Sequence, residues 1–238
     1  MSGLDGRVIA IAGAAGGLGP AVARRLADAG ASIALTDVHA ERLDALVGEL
    51  SLPPERAHAE VVDLLDEQAP RDWAAATAER FGRVDGLLHL VGGWRGGEPL
   101  ATAPLSDYEW LHDALVRTVQ HSTRAFHDHL AASENGRFVL VSSAQAQRPD
   151  GTNAGYAAAK AAAEAWTLAL ADSFAKAGSA ATANVVVVNA ILTPRMREEN
   201  PDKEYPTFTP AEHIAEAIAF LCGDEGSRMN GKRLALYP

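Results

Sequence analysis

Apolar and polar positions in this chain alternate in blocks, not residue by residue. Val8–Ala12, Ser32–Thr36, Ala59–Val62, Gly86–Val91, Phe138–Ser142 and Asn184–Ala190 are mostly near-continuous runs, and Arg233–Leu236 adds a short terminal one. Runs of that length without period-two alternation mark strands covered on both faces. Between them lie longer segments of helical period at Leu18–Ala29, Ala40–Leu50, Glu67–Phe81, Ser106–Ala131, Tyr156–Ala177 and Pro210–Leu221. Pro20 and Pro70 fall in first helical turns, where a missing N–H costs little, and Gly30 and Gly178 fall where helices stop. Strand–helix alternation of this kind predicts right-handed crossovers and a parallel, doubly wound sheet: an α/β fold. No repeat, low-complexity tract or linker interrupts the pattern, so residues 1–238 are expected to form one domain.

Composition narrows the function. A formal net charge of −10 disfavours a broad nucleic-acid footprint, which needs clustered Lys and Arg. Cys222 is the sole cysteine, which excludes an intramolecular disulfide and a metal–thiolate cluster. No segment approaches the ~20 apolar residues of a membrane span, and no basic, apolar leader opens the chain. A soluble cytoplasmic protein is expected, with neither membrane nor nucleic-acid partner. His89, His112, His121, His127 and His129 show no metal-ligand spacing, and no metal site is expected.

The first strand runs into Gly13-Ala14-Ala15-Gly16-Gly17-Leu18-Gly19, which opens a helix. Gly13, Gly17 and Gly19 allow a tight turn, close approach of backbone to a pyrophosphate, and close packing of helix on strand. The helix N-terminus then offers free N–H groups and partial positive charge to the anion. Asp37 ends the second strand about twenty residues on, where a carboxylate accepts both adenosine ribose hydroxyls and repels a 2′-phosphate. Neither Ala14 nor Ala15 is basic, and Arg42 should lie on the following helix, so NAD is favoured over NADP. Asp63, before Leu64, either receives the adenine amino group or caps its own turn.

Tyr156 and Lys160 stand four apart in a strongly helix-favouring segment, so they share one face. A phenol titrates near pH ~10, and a nearby ammonium would lower that value and make it a usable proton carrier. Ser143 follows a strand thirteen residues before Tyr156, at the end of the sheet where open α/β folds bind their ligands. A Y-x-x-x-K spacing alone is common in helices; the order of glycine turn, Asp37, Ser143, Tyr156 and Lys160 is not.

With these residues in that order, the chain resembles the short-chain dehydrogenase/reductase family over essentially its whole length. The resemblance implies a three-layer Rossmann fold with a seven-stranded parallel sheet. It implies a small-molecule substrate and a cofactor held by Gly13, Ala15, Gly17, Leu18, Gly19, Asp37, Asp63, Leu64 and Gly92, with Tyr156 and Lys160 at its nicotinamide end. Tyr156 would exchange a proton with the substrate oxygen, Ser143 would hold that oxygen, and Lys160 would bind the nicotinamide ribose. Thr193, beside Pro194, would contact the carboxamide. The helices Ser106–Ala131 and that from Tyr156 match the family's paired interface helices and imply a homodimer or homotetramer.

Val91-Gly92-Gly93-Trp94-Arg95-Gly96-Gly97 further resembles a stretch of dihydropteridine reductases, with Trp94 either at a substrate mouth or packing its loop. Gln145, with the rest of Gln145–Asn153, and the polar Arg195–Phe208 segment, read as a lid, would complete the substrate contacts. Arg95, Arg148 and Arg195 either meet the substrate or are solvated surface charges. Three departures stand out: His89-Leu90-Val91-Gly92 replaces an N-N-A-G, Leu115 replaces an active-site Asn that helps hold a proton-relaying water chain, and the loop before Thr193 is short. Two functions follow. The first is an NAD-dependent oxidoreductase acting on a small carbonyl, alcohol or pterin-like compound; the second is a non-catalytic NAD-binding redox sensor or scaffold.

Overall fold

Five consecutive buried residues, Val8–Ala12, form the central strand β1. In the computed structural model, which describes residues 3–237, β1 pairs with β2 (Ser32–Asp37) on one side and β4 (Gly86–His89) on the other. With β3 (Ala57–Val61), β5 (Arg137–Ser143), β6 (Thr182–Val188) and β9 (Arg233–Ala235), the sheet order is β3-β2-β1-β4-β5-β6-β9. Every pairing in it is parallel. The strand order reverses between β1 and β4, so a crevice opens beyond their carboxyl ends, where such sheets take their ligands.

Helices cover both faces. On one, α1 (Gly19–Asp28), α2 (Ala40–Leu50) and α8 (Ala211–Cys222) pack Val22, Leu26, Leu43, Leu46, Ile214 and Ile218 against Ile9, Ile11 and Val186. On the other, α3 (Ala69–Phe81), α5 (Thr118–Ala132) and α6 (Ala154–Lys176) bring Trp73, Phe126 and Phe174 onto Leu87, Phe138 and Leu140. The result is the expected three-layer, seven-stranded doubly wound fold.

Two elements differ from expectation. The run Asn184–Ala190 is not one strand: β6 ends at Val188, and Asn189 turns its amide to the Thr207 carbonyl, 3.3 Å. The chain resumes as β7 (Ala190–Leu192), which pairs with β8 (Phe208–Pro210) in a separate two-stranded sheet. Between them, Thr193 accepts the Met196 N–H, 3.3 Å, and caps the short helix α7 (Pro194–Glu199), so part of the expected lid is helical. The single helix expected at Ser106–Ala131 is α4 (Leu105–His112), a π-helical turn at Asp113–Arg117, and then α5. Here Thr118, Ser122 and Thr123 donate their hydroxyls back to Ala114, Thr118 and Val119 carbonyls at 2.7–2.8 Å, competing with the ladder and favouring a wider turn.

The edge strand β9 is tied to α6 by Arg233, whose Nη2 lies 2.8 Å from Oε2 of buried Glu164. Arg233→Met leaves that carboxylate without a partner, and urea denaturation should read a loss of about 3 kcal/mol. Adding Glu164→Leu should recover most of it; a single variant as stable as wild type would show that the pair does not hold the edge.

Candidate active site

The turn after β1 is fixed by backbone. The Gly13 and Ala14 N–H groups both donate to the Thr36 carbonyl, each at 3.0 Å. Gly13 has φ +77°, and a Cβ there would lie 2.7 Å from the Val91 nitrogen; one on Gly19 would lie 1.9 Å from the Ala14 carbonyl oxygen. Leu18, at the N-cap, offers no side-chain cap, so the first N–H groups of α1 stay free to receive an anion. Leu18 and Gly19 are buried behind the turn and shape it, while Gly17 is exposed, 3.0 Å (measured from an added Cβ) from the Thr193 methyl. A glycine cradle and uncapped helix of this kind fit a dinucleotide pyrophosphate.

A cleft of about 390 Å³ opens beside the turn, lined by Gly13, Ala15, Asp37, Asp63, Leu64 and Gly92, all anticipated. Asp37 Oδ2 accepts the Ala15 N–H at 3.1 Å, which orients the carboxylate. Asp63 Oδ1 accepts the Leu65 N–H at 2.9 Å, so it caps its turn even as it faces the cleft. The far wall, Trp110, Ala114 and Thr118, was not anticipated, although its spacing of four across α4, the π turn and α5 is a readable signal. His39 was also missed, and Arg42, though on α2 as expected, lines the same cleft.

Ser143, at the end of β5, and Tyr156, in the first turn of α6, are brought together, near enough for the Ser143 hydroxyl to act on the phenol. The Tyr156 pKa is raised, with burial the larger cause and the Ser143 hydroxyl opposing it. Lys160 was expected to lower it, but its Nζ donates to the Val141 carbonyl at 2.9 Å and lies 5.9 Å from the Tyr156 ring centroid. The strand-end carbonyl is the acceptor the ammonium reaches in the buried layer between α6 and β5. Burial pulls the Lys160 pKa down to about 8, with the Glu164 carboxylate acting the other way. Tyr156 is therefore a neutral phenol.

The departures have structural substitutes. Leu115 is buried with Leu111, Val116 and Ala159, and Tyr156 packs against this cluster. An apolar floor thus stands at the Leu115 position, as its side chain implies. His89 is also buried; its Nε2 meets Thr118 Oγ1 and its Nδ1 meets Ser122 Oγ, each at 3.1 Å. Burial first, and the Lys160 charge second, push its pKa down to about 3, so the ring is neutral.

At the mouth, Trp94 is exposed and donates Nε1–H to Asn153 Oδ1 at 3.1 Å. Its loop is laced to the start of α6 by the Gly97 N–H on Thr152 and the Leu100 N–H on Gly151, each 2.8 Å. Arg95 is not free: it stacks on Trp110, 4.3 Å to the centroid, and pairs with Asp107 at 3.1 Å. Arg195 pairs with Glu199 at 2.6 Å. Gln145 gives its backbone N–H to Ser143 Oγ at 3.3 Å and its amide to Asp150 at 3.4 Å. Among the described residues no three His, Cys, Asp or Glu side chains gather as metal ligands, and no helix is long and apolar enough to cross a membrane.

Comparison with known proteins agrees with this geometry. Residues 7–204 match the family described as short chain dehydrogenase. The chain belongs to that family. Among curated relatives, it is 31% identical to the (2S)-[(R)-hydroxy(phenyl)methyl]succinyl-CoA dehydrogenase subunit BbsD of Thauera aromatica, covering 98% of this chain and 95% of that one. It is 29% identical to levodione reductase of Leifsonia aquatica, covering 94% and 90%. Among solved structures, a blue fluorescent protein from a metagenomic library, in complex with NADPH, superposes with TM-score 0.83 at 32% identity, covering 98% and 97%. The seven-stranded Rossmann fold is shared, and an oxidoreductase is the activity of this family.

His89 sets a pH dependence of folding. Its folded pKa of about 3 lies below the ordinary 6.5, so the unfolded chain binds the extra proton as pH falls. Stability is full above pH ~6.5 and should drop by about 2 kcal/mol between pH 7 and pH 5 from this group. His89→Asn should flatten that slope in denaturant titrations at the two pH values; an unchanged slope would contradict a buried neutral ring.

Proposed function

We propose that this chain is an NAD(H)-dependent oxidoreductase that reduces a small carbonyl compound, with Tyr156 as the proton donor. The observation that carries the reading is the placement of Ser143, at the carboxyl end of β5, with the half-buried phenol of Tyr156 in the first turn of α6. When bound, a nicotinamide dinucleotide supplies or accepts the hydride at this end of the cleft. Gly13, Gly17 and Gly19 with the start of α1 would hold its pyrophosphate, Asp37 its adenosine ribose, and Thr193, against the turn, its carboxamide.

The protein's own contribution is positional and acid–base. Ser143, fixed by the Gln145 N–H, holds the substrate oxygen within reach of Tyr156. The raised phenol pKa keeps the proton in place until charge develops on that oxygen, which suits reduction better than oxidation. Lys160, held on Val141, keeps a positive charge beside the reacting groups. The Leu115 cluster under Tyr156 keeps that side of the phenol dry. Asp37 supports NAD over NADP. Trp94 offers a flat apolar face to the substrate, and pterin-like rings fall within the class it suits. The exposed Leu168 and the alanines of α6 support a homo-oligomer, and the acidic composition fits a cytoplasmic setting.

Leu115 also favours a second reading, a non-catalytic NAD-binding sensor or scaffold, because an apolar side chain stands where the resemblance implies a relay-supporting Asn. NADH oxidation across ketones, dicarbonyls, sugar aldehydes and quinonoid dihydropterin separates the two. In an accepted reaction, Tyr156→Phe should cost about 10²–10⁴-fold in kcat with cofactor affinity nearly unchanged. Full activity in that variant would sink the mechanism, and tight NADH binding with no turnover on any substrate would favour the sensor.

A further inference from the structure

The carboxylate expected to select the cofactor already has a partner. Asp37 Oδ1 accepts the His39 N–H at 3.1 Å and stands 2.9 Å from His39 Nδ1, while Oδ2 accepts the Ala15 N–H. An ionised carboxyl group has about four acceptor positions, two on each oxygen. Three are taken, so a ribose diol that needs both oxygens can bind only by lifting the imidazole off Oδ1. The ring is free to move: its side chain is 57% exposed, and it lines the cleft together with Arg42, one turn further along α2.

We propose that His39 is the residue that sets cofactor choice, exchanging Asp37 for the adenosine ribose and making the preference for NAD over NADP dependent on pH. The proposal rests on the nicotinamide-dinucleotide reading above and refines its adenosine end. A neutral ring gives up one hydrogen bond when the diol of NAD displaces it. A protonated ring is an ion pair with Asp37: it yields less readily to the diol, and it cancels the charge that repels a 2′-phosphate. Arg42 then supplies a second cation for that phosphate. Both changes move selectivity the same way as pH falls.

The charged groups around His39 are few. Asp37 comes from the end of β2, Arg42 and the neighbouring Glu41 from α2, and Asp63 from the loop after β3. Glu60, on β3, faces His58 at 3.6 Å. The glycine turn brings no titratable side chain. Among these groups His39 is the imidazole in contact with Asp37, and imidazole is the side chain that changes charge between pH ~5 and ~8.

The test is calorimetric binding of NAD⁺ and NADP⁺ to the intact protein at pH 5.5 and pH 8.5, which needs no substrate. In wild type the ratio of affinities, NAD⁺ over NADP⁺, should fall by about tenfold at the lower pH, the effect of roughly 1.4 kcal/mol. His39→Ala, at an exposed position, should bind NAD⁺ more tightly than wild type. It should keep only the pH response due to the 2′-phosphate's own second ionisation near pH ~6. Arg42→Ala should weaken NADP⁺ at both pH values and leave the slope intact. A His39→Ala slope equal to wild type, with both dinucleotides bound, would overturn the selector alone. Failure of wild type to bind either dinucleotide would overturn the cofactor reading, and the selector with it.

Discussion

The arrangement depends on one backbone contact: the turn after β1 presses directly against the strand end beside it. An added Cβ on Gly13 would come within 2.7 Å of the Val91 nitrogen, and the same turn is held by two N–H groups on the Thr36 carbonyl. Because β1 lies between β2 and β4, this contact sets three strand ends at once. It places Asp37 to one side and the Leu90–Gly92 wall to the other, and it leaves the first turn of α1 pointing into the crevice. The cost is conformational: φ +77° at Gly13 is open to glycine and strained for residues with a Cβ.

A second constraint governs the other end of the crevice. Between α6 and the sheet lies a buried polar layer of Ser143, Lys160 and Glu164, with half-buried Tyr156 at its edge and His89 nearby under α5. Each group there is desolvated, which raises the phenol and lowers the ammonium and imidazole. Such groups are tolerated only with partners: Ser143 accepts the Gln145 N–H, Lys160 donates to Val141, Glu164 pairs with Arg233, and His89 meets two hydroxyls. A stable neutral acid beside a cation is the chemical product of that packing. The two ends of the crevice thus divide the work, backbone shape at one and tuned side chains at the other.

Much of this was legible in the chain because it rests on local pattern. Apolar runs located all seven strands of the main sheet, near-continuous in the inner strands, where burial on both faces removes alternation. The glycine turn, Asp37, Ser143, Tyr156 and Lys160 stood out by residue type and spacing. What escaped depends on non-local contacts. The break at Asn189 follows from an amide reaching Thr207, eighteen residues away. The π turn at Asp113–Arg117 arises amid hydroxyls bonding back along a helix that otherwise reads as regular. Lys160 looked set to act on Tyr156 from four residues away, and only the approach of the Val141 carbonyl shows where its proton donor goes. His39 lacked any signal, because its meaning lies in the carboxylate it touches and not in a spacing.

The central claim is that the glycine turn forms the binding edge of a dinucleotide cleft. Calorimetric titration of NADH into wild type and Gly13→Ala, with circular dichroism to confirm that both are folded, tests it most directly. The account predicts clear binding by wild type and a loss of about 100-fold or more in the variant, equivalent to roughly 2.7 kcal/mol. A folded Gly13→Ala protein that binds NADH as tightly as wild type would contradict it.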